Sequence, residues 1–207
     1  VTASSAGVIH DETPGNQGDA DDTSAALPAA FSTRLTALSV GSEIGHAQGG
    51  TSEVTFDAGT DGLKNVALTD STGGSLGGVD SGLDKTGGFS IFLYTDSVND
   101  NIVLGREGTN DTTASASGAI VFALYLDQGT GELWLTQYAA IEHPTPGASH
   151  DESASITSGL IHVTVTDNDD DTAISAGAVA VTFPDDGPRV TASSAGVIHD
   201  ETPGNQG

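Results

Sequence analysis

Residues 1–18 read VTASSAGVIHDETPGNQG, and residues 190–207 read the same eighteen letters. An identity of that length does not arise by chance in a chain of 207 residues. Val1 recurs as Val190, which sets a period of 189 residues. A period this long is a whole domain strung in tandem, because solenoid and propeller units run to roughly 20–50 residues. The expected organisation is one full repeat over residues 1–189, closed by a linker at 184–189. Residues 190–207 then open an identical next copy. Duplication this perfect suits a long fibrous protein better than an enzyme.

Charge narrows the field further. Five basic residues stand against 29 acidic ones, for a formal charge of −24. Such a chain repels nucleic acid and anionic membrane surfaces, so neither is an expected partner. Disorder fits poorly, since 36% of the residues are apolar and fall in alternating runs. Divalent cations are the natural counter-charge, and calcium prefers all-oxygen ligands. Cysteine and methionine are both absent. A domain without disulfides needs another staple, and metal is the usual substitute. No apolar run approaches the ~20 residues of a membrane helix, so no membrane insertion is expected.

Turn clusters rich in glycine separate short runs that read as strands: Glu53–Asp57, Asn65–Thr69, Phe89–Thr95, Asn101–Arg106, Ala119–Leu126, Glu132–Tyr138, Ile156–Thr166 and Ala173–Phe183. Two hairpins are predicted. One turns through Asp127–Gly131, the other through Asp167–Asp171. In the second, Ile161, Val163 and Val165 alternate with His162, Thr164 and Thr166, as suits one buried and one wet face. One helix is expected, with Leu27, Phe31, Leu35 and Leu38 on one face. Asp21, Asp22, Thr23 and Ser24 would cap it and Pro28 would sit in its first turn. Thr69–Gly88 reads as a long surface loop, or as a spacer between two sub-domains. The fold class is all-β, an antiparallel immunoglobulin-like β-sandwich with one short helix.

The densest candidate site is Asp167-Asn168-Asp169-Asp170-Asp171, four carboxylates and an amide in a predicted turn. Asp167, Asp169 and Asp171 share the i, i+2, i+4 spacing with which a loop wraps oxygen ligands around calcium. It is not an EF-hand, because Thr172 and Ala178 stand where the sharp-turn glycine and the bidentate glutamate would be. Asp and Asn also favour turns for backbone reasons alone, which is the competing explanation. A second cluster brackets the repeat junction. Asp185 and Asp186 lie in the linker, and Asp200 and Glu201 follow in the next copy, matching Asp11 and Glu12 of the first. Carboxylates of linker and neighbouring repeat sharing a cation would fix the angle between repeats. Asp151 and Glu152 echo Asp11 and Glu12, and Asp19, Asp21 and Asp22 add a further acidic stretch.

Catalytic signals are weak. No nucleophile elbow, phosphate-binding loop or dinucleotide fingerprint appears, and no enzymatic activity is expected. His143 and the other histidines lack zinc spacing and read as turn and surface residues. Trp134, the single tryptophan, reads as core within a strand rather than as a sugar platform.

The run VTVTDNDDDTAISAGAVAVTFPDDGP at 163–188 resembles the terminal hairpin of repeat domains in giant bacterial RTX adhesins exported by type I secretion. HDETPG at 10–15, LPAAF at 27–31 and FLYTDSVNDNIVLGR at 92–106 are similar to earlier segments of one such repeat class. The resemblance implies a β-sandwich extender at the bacterial surface, with calcium at its domain edges. It places Asp167, Asp169, Asp171, Asp185 and Asp186 on the calcium-turn and linker motifs. The glycine-rich nonapeptide of the RTX β-roll is absent. The expected role is structural: a calcium-stiffened tandem repeat of a secreted or cell-surface adhesin or fibre, its partners the neighbouring repeats of the chain or other copies in a fibre. Two rivals remain open, a self-assembling filament or surface-layer subunit and a carbohydrate-binding module.

Overall fold

The computed structural model describes residues 2–3, 7–12, 20–50, 54–144 and 152–185. The strands in chain order are β1 (Thr2–Ala3), β2 (Gly7–Ile9), β3 (Gly45–Gln48), β4 (Phe56–Asp57), β5 (Leu63–Thr69), β6 (Gly77–Asp84), β7 (Ser90–Thr95), β8 (Ile102–Glu107), β9 (Ile120–Leu126), β10 (Leu133–Gln137), β11 (Ser153–Ser155), β12 (His162–Asp167), β13 (Thr172–Ile174) and β14 (Ala180–Pro184). One helix, α1, spans Ala29–Leu38. A six-stranded antiparallel sheet runs β3-β10-β9-β8-β7-β6. Two three-stranded sheets, β13-β12-β5 and β11-β14-β2, form the second layer. The protein is an all-β sandwich with one helix.

The period-2 geometry of the strands explains the layering. Val103, Leu133 and Leu135 of the large sheet meet Val66, Leu68, Val163, Val165, Val181 and Phe183 in the main core. The intervening residues Ile102, Leu104, Ala123, Tyr125 and Trp134 point the other way. Phe31 and Leu35 of α1 cover that outer face, with Leu27 and Leu38 packed beside them. Phe31 stacks on Tyr125 at 5.0 Å between ring centroids. Arg34, near the same face, ties the helix to the residue after β7 through a two-pronged bond to Asp96, at 2.8 and 2.7 Å. Trp134 is 4% exposed, as a core residue should be.

One irregularity shows how a single residue resets a strand. Gly105 pairs with Phe122 and Arg106 with Ile120, so Val121 is an extra residue on β9. The bulge lets Val121 and Phe122 both face the main core, after which alternation resumes. Gly105 is required there, because the Phe122 ring occupies the space of a Cβ.

Four expectations need correction. Thr69–Gly88 is neither a loop nor a spacer, because β6 lies within it and forms an edge of the large sheet. Two bulges and the positive φ of Gly78 and Gly82 hide its alternation. The run Ala173–Phe183 is two strands in different sheets, β13 and β14. The buried Ser175 side chain breaks it, accepting from the Val163 N–H and donating to the Gly177 carbonyl. The run Ile156–Thr166 likewise becomes β12 alone, and its wet face is covered at His162 and Thr164. Finally, Asp21–Ser24 do not cap α1. Pro28 is the cap residue, extended at φ −51° and ψ 137°, and it makes no side-chain capping bond.

Candidate metal site at the β12–β13 turn

Where β12 ends, Asp167 turns inward and becomes 4% exposed. Its backbone N–H donates to the Asp171 carbonyl at 3.0 Å, and its carboxylate accepts the Asp171 N–H at 2.9 Å. These bonds close the turn, and Asp170 takes up the left-handed strain at φ 75°. Asn168 ties the turn to a distant segment. Its N–H donates to the Gly62 carbonyl at 3.1 Å, and its side-chain amide donates to the Asp61 carbonyl at 2.7 Å. Asp61 ends a short 3-10 helix, Gly59–Asp61, and is thereby carried to the acidic turn.

Carboxylate oxygens of Asp61, Asp167 and Asp169 all lie within 4.8 Å of one another. Asp171 lines the same cleft with Thr60 and Thr172. The Asp167 carboxylate beside it pushes Asp169 above the ordinary carboxylate range. Asp167 moves the opposite way, held down by hydrogen bonds from Asp169 and from the backbone of Asp171. The two carboxylates therefore oppose each other's ionisation, a repulsion that a bound cation would relieve. Lys64 pairs with Asp170, on the solvent side of the turn. An all-oxygen donor set with an open face fits a hard divalent cation such as calcium.

Of the turn residues singled out in sequence, Asp167 and Asp169 come together, Asp171 lines the cleft beside them, and the Asn168 amide is bonded to the Asp61 carbonyl; Asp61 itself was not singled out. The clue was the turn cluster Asp57-Ala58-Gly59-Thr60-Asp61-Gly62, whose proximity to β12 is set by the pairing of β5 with β12.

The junction residues divide differently. Asp186, Asp200, Glu201 and Asp151 lie outside the described residues. The backbone N–H of Asp185 donates to the Glu152 carbonyl at 2.6 Å, and its carboxylate lies 3.5 Å from Nδ1 of His143. Asp11 is half-buried and donates its N–H to Asp22 at 3.3 Å. Glu12 turns inward, 6% exposed, where its carboxylate accepts from the Ile141 N–H at 2.8 Å and from the Gln137 side chain.

Beside Glu12, His10 is not a surface residue. It is 2% exposed, and its Nδ1 meets the Asp22 carboxylate at 2.6 Å. Burial raises the Asp22 carboxyl, with the His10 bond opposing. His143 and His162 are also largely covered. Histidine spacing in sequence carried no sign of this, because the groups the rings meet, Asp22 for His10, the Phe183 carbonyl for His143 and the Ser175 carbonyl for His162, are remote from them along the chain.

Residues 7–179 match DUF5801, described as a domain of unknown function. The chain belongs to the DUF5801 family. The matched DUF5801 stretch runs from β2 to the residue before β14, and so contains Asp61, Asp167, Asp169 and Asp171 but not Asp185. No curated protein and no solved structure matches the chain.

Proposed function

We propose that this DUF5801 domain is a calcium-stiffened structural repeat of a long secreted or cell-surface bacterial adhesin or extracellular fibre. The observation that carries the reading is the convergence of Asp61, Asp167 and Asp169 from two separate segments onto one open, all-oxygen cluster. The −24 charge and the exact duplication of residues 1–18 support the same reading from sequence, together with the resemblance to adhesin repeats. Calcium would be held by Asp61, Asp167 and Asp169, with Asp171 beside them, and would supply charge neutralisation and cross-linking. Asp61 and Asn168 already join the 3-10 turn to the β12–β13 hairpin, and a shared cation would lock that joint. A second cation at the junction would draw on Asp185, Asp186 and Asp200.

The consequence is a domain that gains stability only outside the cell, where calcium is abundant, because ligand binding to the native state adds directly to its stability. Thermal melting should rise by about 5–10 °C between chelator and saturating calcium. Magnesium should give far less, since its rigid octahedral shell suits adjacent carboxylates poorly. Changing Asp167, Asp169 and Asp171 together to Asn should abolish most of the gain and remove one calcium by calorimetry. A melting temperature indifferent to calcium would end the proposal.

A further inference from the structure

The strand β2 is held in place by groups that lie outside residues 1–18. Gly7, Val8 and Ile9 pair in parallel with Ala180, Val181 and Thr182 of β14. The His10 N–H donates to the Thr182 carbonyl at 3.0 Å, and the His10 ring meets Asp22. The Ile9 N–H donates to the Asp21 carboxylate at 2.8 Å, and Glu12 accepts from Gln137 and Ile141. The slot also selects by shape. A Cβ on residue 7 would stand 3.3 Å from the Cβ and the carbonyl oxygen of Ala180, and one on Gly45 would stand 2.7 Å from the His10 ring. Val8 fills the core at 1% exposure.

The sequence supplies every one of the inserted groups twice. Gly196-Val197-Ile198-His199-Asp200-Glu201 repeats Gly7–Glu12 letter for letter. The second copy is also within reach. To lie beside Ala180, Gly196 must return about 13 Å along β14 and about 5 Å across. Residues 185–195 intervene and span up to roughly 36 Å when extended. Eleven residues also meet the minimum for a crossover between adjacent parallel strands.

We propose that Gly196–Glu201 is a second occupant of the β2 slot within the same chain, so that the sheet β11-β14-β2 closes with whichever copy is intact. Where repeats follow one another, each junction then holds two equivalent pairings. In one, a repeat closes on its own opening segment; in the other, it captures the opening segment of the repeat that follows. This inference rests on the slot and the duplication, and is independent of calcium.

Full-length variants test it, measured both in calcium and in chelator so that the two ideas fail separately. Val8→Asp puts a charge in the core position of the first copy and Val197→Asp does so in the second. Each alone should melt within about 3 °C of the parent, while the double variant should lose roughly 10 °C or more. A Val8→Asp protein as unstable as the double variant would overturn the proposal. Position is read directly by adding Thr182→Cys and Ile198→Cys to Val8→Asp, in a chain that otherwise has no cysteine. A disulfide within the monomer is expected. Failure to form it, or a cross-linked dimer, overturns occupancy within the chain.

Discussion

The seam around His10 and the turn around Asp167 are both rich in carboxylates, but their surroundings differ. At the seam, Glu12 is enclosed by protein donors, and Asp22 faces an imidazole at 2.6 Å. At the turn, Asp167 is buried while Asp61 and Asp169 are exposed, and the three face one another. Burial among protein donors makes an acidic group part of the scaffold. Convergence of carboxylates leaves a deficit of positive charge, which on the proposed reading a cation from solution fills. The same residue type therefore serves two purposes, and the neighbours decide which.

The largest test of this contrast is Asp22→Ala, which strands a buried His10. A loss of about 3 kcal/mol is expected in urea denaturation, equal in calcium and chelator. A loss that vanished in calcium would erase the distinction between the two regions. Next comes Gly45→Ala, whose new Cβ would stand 2.7 Å from the His10 ring. The expected cost is about 1–3 kcal/mol. Combined with Asp22→Ala it should be less than additive, because the ring is then free to move aside.

The smallest effect belongs to Asp169→Asn, and it should change sign with conditions. Asp169 is raised in the folded state, so its contribution is present below the unfolded carboxylate pKa and is lost as pH rises through the folded value. At neutral pH without calcium its charge only repels Asp167. The Asn variant should therefore melt slightly above the parent in chelator at pH 7 and below it in calcium. Asp167 is depressed, so its own contribution runs the other way and is lost as pH falls through its folded pKa. Equal melting shifts in both conditions would show that the turn carries no ion.

Local patterns disclosed what local physics governs. The hairpin of β9 and β10 was legible because two largely apolar runs flank the turn Asp127–Gly131, and the turn of β12 was legible because four aspartates fall within five residues. The buried face of α1 followed from the spacing of Phe31 and Leu35. Long-range effects were not legible. Asp61 joins Asp167 only because β5 pairs with β12, and β13 parts from β14 only because Ser175 captures backbone groups. His10 is buried through Asp22 and Gly45, neither of which announces a partner in sequence.

The pairing of β2 with β14 is parallel, alone among the described strand pairs. Tension entering the backbone before Gly7 and leaving after Pro184 would drag these two strands past each other along their length. Their cross-links would then bear load side by side instead of opening one after another, as they would if the pair were peeled from one end. The bonds from His10 to Thr182 and from Glu12 to Pro184 lengthen that shearing line beyond the strand itself. Resistance to stretching is thus concentrated in a strand of three residues and the backbone that follows it.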